Sequence, residues 1–397
     1  MEERESLELY RSLGGYSGLQ RALVQGPGWV LSELGMAGLR GRGGSGQGNL
    51  TADKWMRAAR AHQRTRYVIA NGAESSPVSQ KDRFLMSRSP HRVLEGLLAA
   101  AITIGAETAY IYIRGDAEDP LASMTAALAE AQEAGIFGPG TPCPVNVLIQ
   151  QAIPSYVAGE ETAVIDALEG LEGRPQPKPP RPEEVGLHGC PTVVTNVETL
   201  AAAAAILCFG IERFLAVGTP ACPGTALFTV SGDVAAPGVF EVPYGTPLRS
   251  LLEMADAPAP EELLAVLPGL SSGPLHPGEL DVPLTYEGLA AIGSSLGTAA
   301  FLVLRRSGTG FGVIAAEVAS FLAEASCGQC RGCKEGHTQL AEVLGVGEKS
   351  RAKDLAELLL YGRGNCAHPT GTARFVLRAL EVFPTEFDGP HPQPKTV

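Results

Sequence analysis

Cysteines at 327, 330 and 333 stand in the string A-S-C-G-Q-C-R-G-C-K-E-G, and Cys366 follows in G-R-G-N-C-A-H-P. A C-x2-C-x2-C run with one remote partner is the donor set of a cubane cluster: three thiolates converge from one tight turn and a fourth arrives from elsewhere in the fold. Structural zinc also takes four thiolates, but usually from two separate C-x2-C hairpins, so the unbroken triple favours a 4Fe–4S cluster. Cys327, Cys330, Cys333 and Cys366 are therefore the expected metal ligands, and moving single electrons is the expected work. The other cysteines, Cys143, Cys190, Cys208 and Cys222, lack any such spacing and are expected to be small buried hydrophobes.

A second set of residues is defined by what it lacks. Residues 39–48 read L-R-G-R-G-G-S-G-Q-G. Without Cβ atoms, backbone N–H groups can close on a ligand, which suits a phosphate. No G-K-[ST] follows and the spacing is not a strict G-x-G-x-x-G, so taken alone the string reads as well as a surface loop as an anion cradle.

Elements able to position these groups are visible along the chain. The 397 residues suffice for two to four domains, and 45% hydrophobic content supplies a core. A net charge of -12 argues against nucleic acid and anionic membrane surfaces as partners. Segments 97–104 and 200–207 are apolar but too short to span a membrane. A long chain with no signal peptide and a metal-type cysteine pattern points to a reducing, cytoplasmic setting. Strands are expected at 67–71, 109–114 and 145–150, alternating with helices at 90–105 and 121–134, which predicts an α/β layer with a parallel sheet. Residues 173–182 are too proline-rich for regular structure, and 198–214 reads as one helix. After Pro223, short strands at 227–230, 238–242 and 300–304 around a helix at 247–254 predict a small α+β domain. From Ile314 the pattern is helical, with the cysteines between helices.

Several strings occur in one order: R-G-R-G-G-S-G, Lys54-Trp55, Asn71 with Glu74 and Lys81-Asp82-Arg83, A-Y-I-Y-I-R-G, A-G-E-E-T-A, K-P-P, P-T-V-V-T-N-V-E-T-L and S-C-G-Q-C-R-G-C-K-E-G. In this the chain resembles the NADH- and FMN-binding flavoprotein subunit of respiratory complex I, with relatives in NAD-reducing hydrogenases and formate dehydrogenases. The resemblance spans nearly the whole chain. It implies an α/β flavin domain at 1–222, a ubiquitin-like (SLBB) α+β domain at 223–310 and a helical 4Fe–4S domain at 311–397. It also implies that Gly41, Arg42, Gly43 and Gly44 lie along the flavin phosphate and ribityl chain. Lys54 would add positive charge there, Asn71 would hydrogen-bond the isoalloxazine edge, and Gly159, Glu160 and Glu161 would pass under the ring. Asn196 would close the phosphate side, and Glu74 and Thr195 would also be among the cofactor-binding residues. No side chain is expected to be catalytic, because the flavin carries the hydride transfer. The implied partners are a ferredoxin-like iron–sulfur subunit and a larger cluster-bearing subunit in a hetero-oligomer, peripheral to the inner face of a membrane and not inserted in it.

Departures from the family gather on the nicotinamide side. Phenylalanines of the family's dinucleotide-stacking surface are replaced by Gln47, Arg57 and Arg181, acidic residues by Ala73 and Ser76, and one of two paired asparagines by Thr195. Each lost ring stack removes about 0.5–1.5 kcal/mol, so three together weaken a dinucleotide by roughly one to three powers of ten. Two readings follow. One is an NADH dehydrogenase-type subunit that passes electrons between NAD(P)H and the cluster through FMN. The other is an electron-relay or scaffold subunit that has lost NADH binding.

Overall fold

Four runs of β-branched and aromatic residues set up the first sheet: β1 (Tyr67–Gly72), β2 (Thr108–Arg114), β3 (Asn146–Ala152) and β4 (Thr192–Asn196). They pair in the order β3-β2-β1-β4, and every pairing is parallel. A parallel sheet needs cover on its faces, and the apolar Pro90–Ile104 and Val197–Phe209 helices supply part of it. The first starts with proline at its first turn and ends at Gly105 in the left-handed region. Leu94, Leu97 and Leu98 on it are fully buried, each contributing roughly 1.5–3 kcal/mol. The two helices cross at Gly96, where any Cβ would run into the carbonyl of Leu200.

The structure is a computed structural model that describes residues 4–44, 50–63, 65–362, 364–387 and 389. The chain divides into two compact units. The first is residues 1–75, 80–174 and 178–226, and the second is 76–79, 175–177 and 227–397. In the second, β5 (Thr225–Gly232), β6 (Gly238–Pro243), β7 (Leu263–Pro268) and β8 (Ala300–Arg305) form a sheet in the order β6-β5-β8-β7. Here β5 and β8 run parallel and β7 and β8 antiparallel. Phe228 stacks on Phe301 in its core. The Phe311–Glu324, His337–Gly345, Lys349–Tyr361 and His368–Val382 helices follow, with Phe311 stacked on Phe383 at 4.0 Å.

Three expectations need correction. The helix expected at 198–214 is two, Val197–Phe209 and Ile211–Leu215, because Gly210 between them takes φ +87°, outside the helical region. The second expected helix runs Glu118–Glu133, so Pro120 falls in its first turn, where proline's missing N–H costs nothing. Strands β4 and β7 were not expected as strands. Both are nearly or wholly buried and lack the alternation that marks a half-exposed strand. No described helix is long and apolar enough to cross a membrane.

Candidate functional site

In the first unit, the register pairs Asn71 near the end of β1 with Asn196 at the end of β4. Ligands in open α/β sheets bind beyond these carboxyl ends. Asn71 donates through Nδ2 to the carbonyl of Gly159 at 2.8 Å and accepts from the Ala73 N–H at 3.2 Å. This seats the 159–161 segment over the strand end. A Cβ at Gly159 would sit 2.7 Å from the Ala73 carbonyl oxygen, so only glycine allows that approach. Gly43 faces the Asn196 side chain, where a Cβ would come within 3.3 Å.

The side chains around this point serve the wall. Glu160 caps the Glu161–Leu168 helix by accepting from the N–H groups of Thr162 and Ala163. Lys54, on the Thr51–Ala59 helix, pairs with Glu161 at 2.7 Å. Lys178 spans Glu160 at 2.7 Å and Glu161 at 3.0 Å. Burial raises the Glu161 pKa, but the ammonium groups of Lys54 and Lys178 outweigh it and bring it down to about 2. Arg42 reaches Glu198 at 3.1 Å, and its N–H donates to Thr199. Thr195 accepts from the indole N–H of Trp55. Glu74 accepts from the N–H groups of Asp82 and Arg83 at the start of the Lys81–Arg88 helix. Asn196 caps the following helix through the Glu198 N–H. Gly41 and Gly44 continue the glycine segment of the same unit, while Gln47 lies outside the described residues.

Behind these residues lies a charged layer. Lys81, 1% exposed, sits 2.7 Å from Asp82 and 2.8 Å from Glu198. Asp82 accepts from the Asn196 amide at 2.7 Å. The string Lys81-Asp82-Arg83 was the available signal, but it carries no geometry of its own. In the same unit, the Arg57 guanidinium is held by the buried Glu183 through Nε at 3.0 Å and Nη2 at 2.6 Å. The Arg181 N–H is taken by Glu184.

In the second unit, Cys327 and Cys330 lie in the loop after the Phe311–Glu324 helix. Cys333 is buried in the π turn Gly332–Gly336 that leads into His337–Gly345. Such turns recur at functional sites. Cys366 lies in the loop before the His368–Val382 helix. Burial pushes the Cys333 thiol up, and the fields of Cys330, Cys327 and Cys366 add to it, so all four thiols share one electrostatic neighbourhood. Among the described residues, no three His, Cys, Asp or Glu side chains gather as a site for a single metal ion. Thiolates around a four-iron cluster stand farther apart than around one zinc. The loops are tied by Pro175, whose carbonyl accepts from Gln329 and from Asn365, each at 3.2 Å. His337 and His368 meet edge to face at 4.4 Å just behind. Burial, and then its neighbour, lower His337 to about 4. Arg331 is almost wholly exposed and pairs with Glu335 on its own turn, which makes it part of a solvated face.

Of the remaining cysteines, Cys143, Cys208 and Cys222 are buried as expected, whereas Cys190 is partly exposed. It follows the Leu187–Gly189 turn, whose His188 takes φ +52°. Cys208 also does more than fill space: its thiol donates to the buried Glu95 at 3.2 Å.

Comparison with known proteins finds three families along the chain. The Nuo51 FMN-binding domain family matches residues 34–205, and the SLBB domain family matches 227–255. The NADH-ubiquinone oxidoreductase-F iron-sulfur binding region matches 313–389. These define the class as a redox subunit that binds FMN and a 4Fe–4S cluster. The F subunit of NADH-quinone oxidoreductase from Streptomyces coelicolor is 36% identical over 98% of this chain and 88% of its own length. The F 2 subunit of the Rhizobium meliloti enzyme is 38% identical over 96% and 93%. A crystal structure of NAD+-reducing [NiFe]-hydrogenase superposes with a TM-score of 0.86 at 31% identity, over 98% of this chain and 68% of that one. The chain belongs to the family of flavoproteins typified by the NADH-quinone oxidoreductase F subunit. The residues present fit both groups: a glycine segment and an Asn71–Gly159 contact at the carboxyl ends of the strands, where open α/β sheets bind ligands, and a donor set of four thiols.

Proposed function

We propose that this chain oxidises NADH, with FMN as first acceptor and the 4Fe–4S cluster as second, within a multi-subunit redox complex. The carrying observation is the Asn71–Gly159 hydrogen bond at the carboxyl end of β1, in the same chain as a cysteine triple and a fourth cysteine whose loops are tied through the Pro175 carbonyl. Bound FMN supplies the conversion of a hydride's electron pair into single electrons, and the cluster accepts electrons singly. Toward FMN, backbone groups of Gly41, Arg42, Gly43 and Gly44 receive the phosphate and ribityl chain. Lys54 balances charge there, competing with its bond to Glu161. Asn71 orients the ring edge, with Glu74 holding the loop behind it. Gly159, Glu160 and Glu161 form the floor, and Thr195 and Asn196 close the far side. Cys327, Cys330, Cys333 and Cys366 bind the cluster. The segments 1–222, 223–310 and 311–397 divide this work as flavin, ubiquitin-like and cluster domains. A ferredoxin-like iron–sulfur subunit and a larger cluster-bearing subunit are the partners, in a cytoplasmic, membrane-peripheral arm.

A second reading is an electron relay that has lost NADH binding. The Arg57–Glu183 ion pair favours it, because it stands where the family's stacking surface has phenylalanine. Both readings are tested by adding NADH, then NADPH, then dithionite to anaerobic, FMN-loaded protein while following the flavin's visible band. The first reading expects NADH to bleach it. Bleaching by dithionite alone would establish the relay.

A further inference from the structure

A lysine at the first position of a helix is unfavourable twice over, because the helix dipole repels a cation there and burial strips its water. Lys81 opens the Lys81–Arg88 helix and is nevertheless 1% exposed. Three carboxylates compensate: Asp82 beside it, Glu198 from the Val197–Phe209 helix, and Glu74 from the loop after β1. Each of them is itself buried. Such a layer contributes little net stability compared with apolar residues of the same size, so its presence points to a task. It connects to the strand ends through Asn196. The Asn196 Nδ2 donates to Asp82 at 2.7 Å and to the Asn71 carbonyl at 3.4 Å, and its Oδ1 faces Lys81 at 3.4 Å. The layer therefore reaches the two asparagines that close the strand ends.

We propose that Asp82 is a positioning and proton-holding residue for the flavin: it fixes the Asn196 amide, whose other bond is to the Asn71 carbonyl, and it binds one proton from solvent when the flavin ring held at Asn71 gains negative charge. This rests on the flavin reading given above. The balance is simple. One proton leaves water and binds an Asp82 carboxylate oxygen, and no other bond is made or broken. The charged groups facing Asp82 are Lys81 on its own helix, Glu74 from the strand-end loop and Glu198, with Arg42 behind it. Burial raises the Asp82 carboxyl above the ordinary carboxylate range against the pull of Lys81, so a nearby change of charge can move its protonation.

The test is the midpoint potential of FMN bound to the full chain, measured against pH in wild type, Asp82→Asn and Asp82→Glu. Above pH 8 the Asp82→Asn variant lacks a negative charge that wild type carries. Its flavin is then easier to reduce by about tenfold, or about 30 mV for a two-electron couple, and the difference vanishes below pH 6. Asp82→Glu restores the wild-type profile. Infrared difference spectra of flavin reduction add a readout that needs no loss of the side chain: a carboxylic-acid carbonyl band in wild type that shifts in Asp82→Glu. Potentials that coincide at every pH would overturn the proposal, and so would identical carbonyl bands in wild type and Asp82→Glu. If Asp82→Asn does not retain FMN, the infrared comparison decides alone. Wild-type protein that binds no FMN would defeat the flavin reading instead, before any variant is made.

Discussion

Gln329 and Asn365 donate to the same acceptor, the carbonyl oxygen of Pro175, each at 3.2 Å. Gln329 lies between Cys327 and Cys330, and Asn365 directly precedes Cys366. One backbone oxygen thus ties the triple-cysteine loop to the loop of the fourth thiol. Each bond contributes about 0.5–1.5 kcal/mol, and two that share an acceptor are coupled. Gln329→Ala with Asn365→Ala is expected to shorten cluster lifetime in air severalfold, read as the decay of its visible absorbance, with the flavin band unchanged. A decay rate equal to wild type would show that the shared oxygen is incidental.

Glu161 makes the fold acid-sensitive in a defined window. Its folded-state pKa is lowered from the ordinary 4.5 to about 2. A depressed carboxylate contributes its full stability above the unfolded value, and loses it as pH falls through the folded one. Stability should therefore fall from about pH 4.5 towards pH 2. Glu161→Gln should be less stable at pH 7 and flatter across that window, by urea denaturation at each pH. An unchanged slope would mean that the Lys54 and Lys178 pairs are solvent-screened.

The Arg57–Glu183 pair sets the expectation for nucleotide choice. Glu183 is 2% exposed and engages two nitrogens of the guanidinium, so the arginine's charge is already matched. Wild type is expected to favour NADH over NADPH. Glu183→Gln releases the charge and should raise apparent NADPH affinity by about tenfold, equivalent to about 1.4 kcal/mol, in flavin-bleaching titrations. NADPH preferred by wild type, or insensitive to Glu183→Gln, would contradict this.

What could be read from the chain followed the range of the interactions. The cysteine triple was legible because its geometry is local, and β1 to β3 because β-branched and aromatic runs end in polar loops. The buried β7, L-L-A-V-L-P, has no alternation to mark it as a strand, and Gly210, at φ +87°, ends a helix whose alanine-rich sequence alone gives no sign of stopping. The Asn196–Asp82 bond joins residues 114 apart, and no periodicity encodes such a pairing. The resemblance named Asn71 and Asn196 as ligand contacts. The fold shows in addition that their amides are latched to Gly159 and Asp82, so their first role is to fix the strand ends.

We propose that the sulfur atoms of Cys327, Cys330, Cys333 and Cys366 hold iron and sulfide that receive electrons from NADH. Anaerobically purified full-length protein, analysed for metal and inorganic sulfide and then by electron paramagnetic resonance with NADH present, tests it most directly. The expected result is roughly four iron and four sulfide per chain, with a reduced-cluster signal on adding NADH that Cys366→Ser abolishes. One zinc per chain, no sulfide and no signal would contradict it.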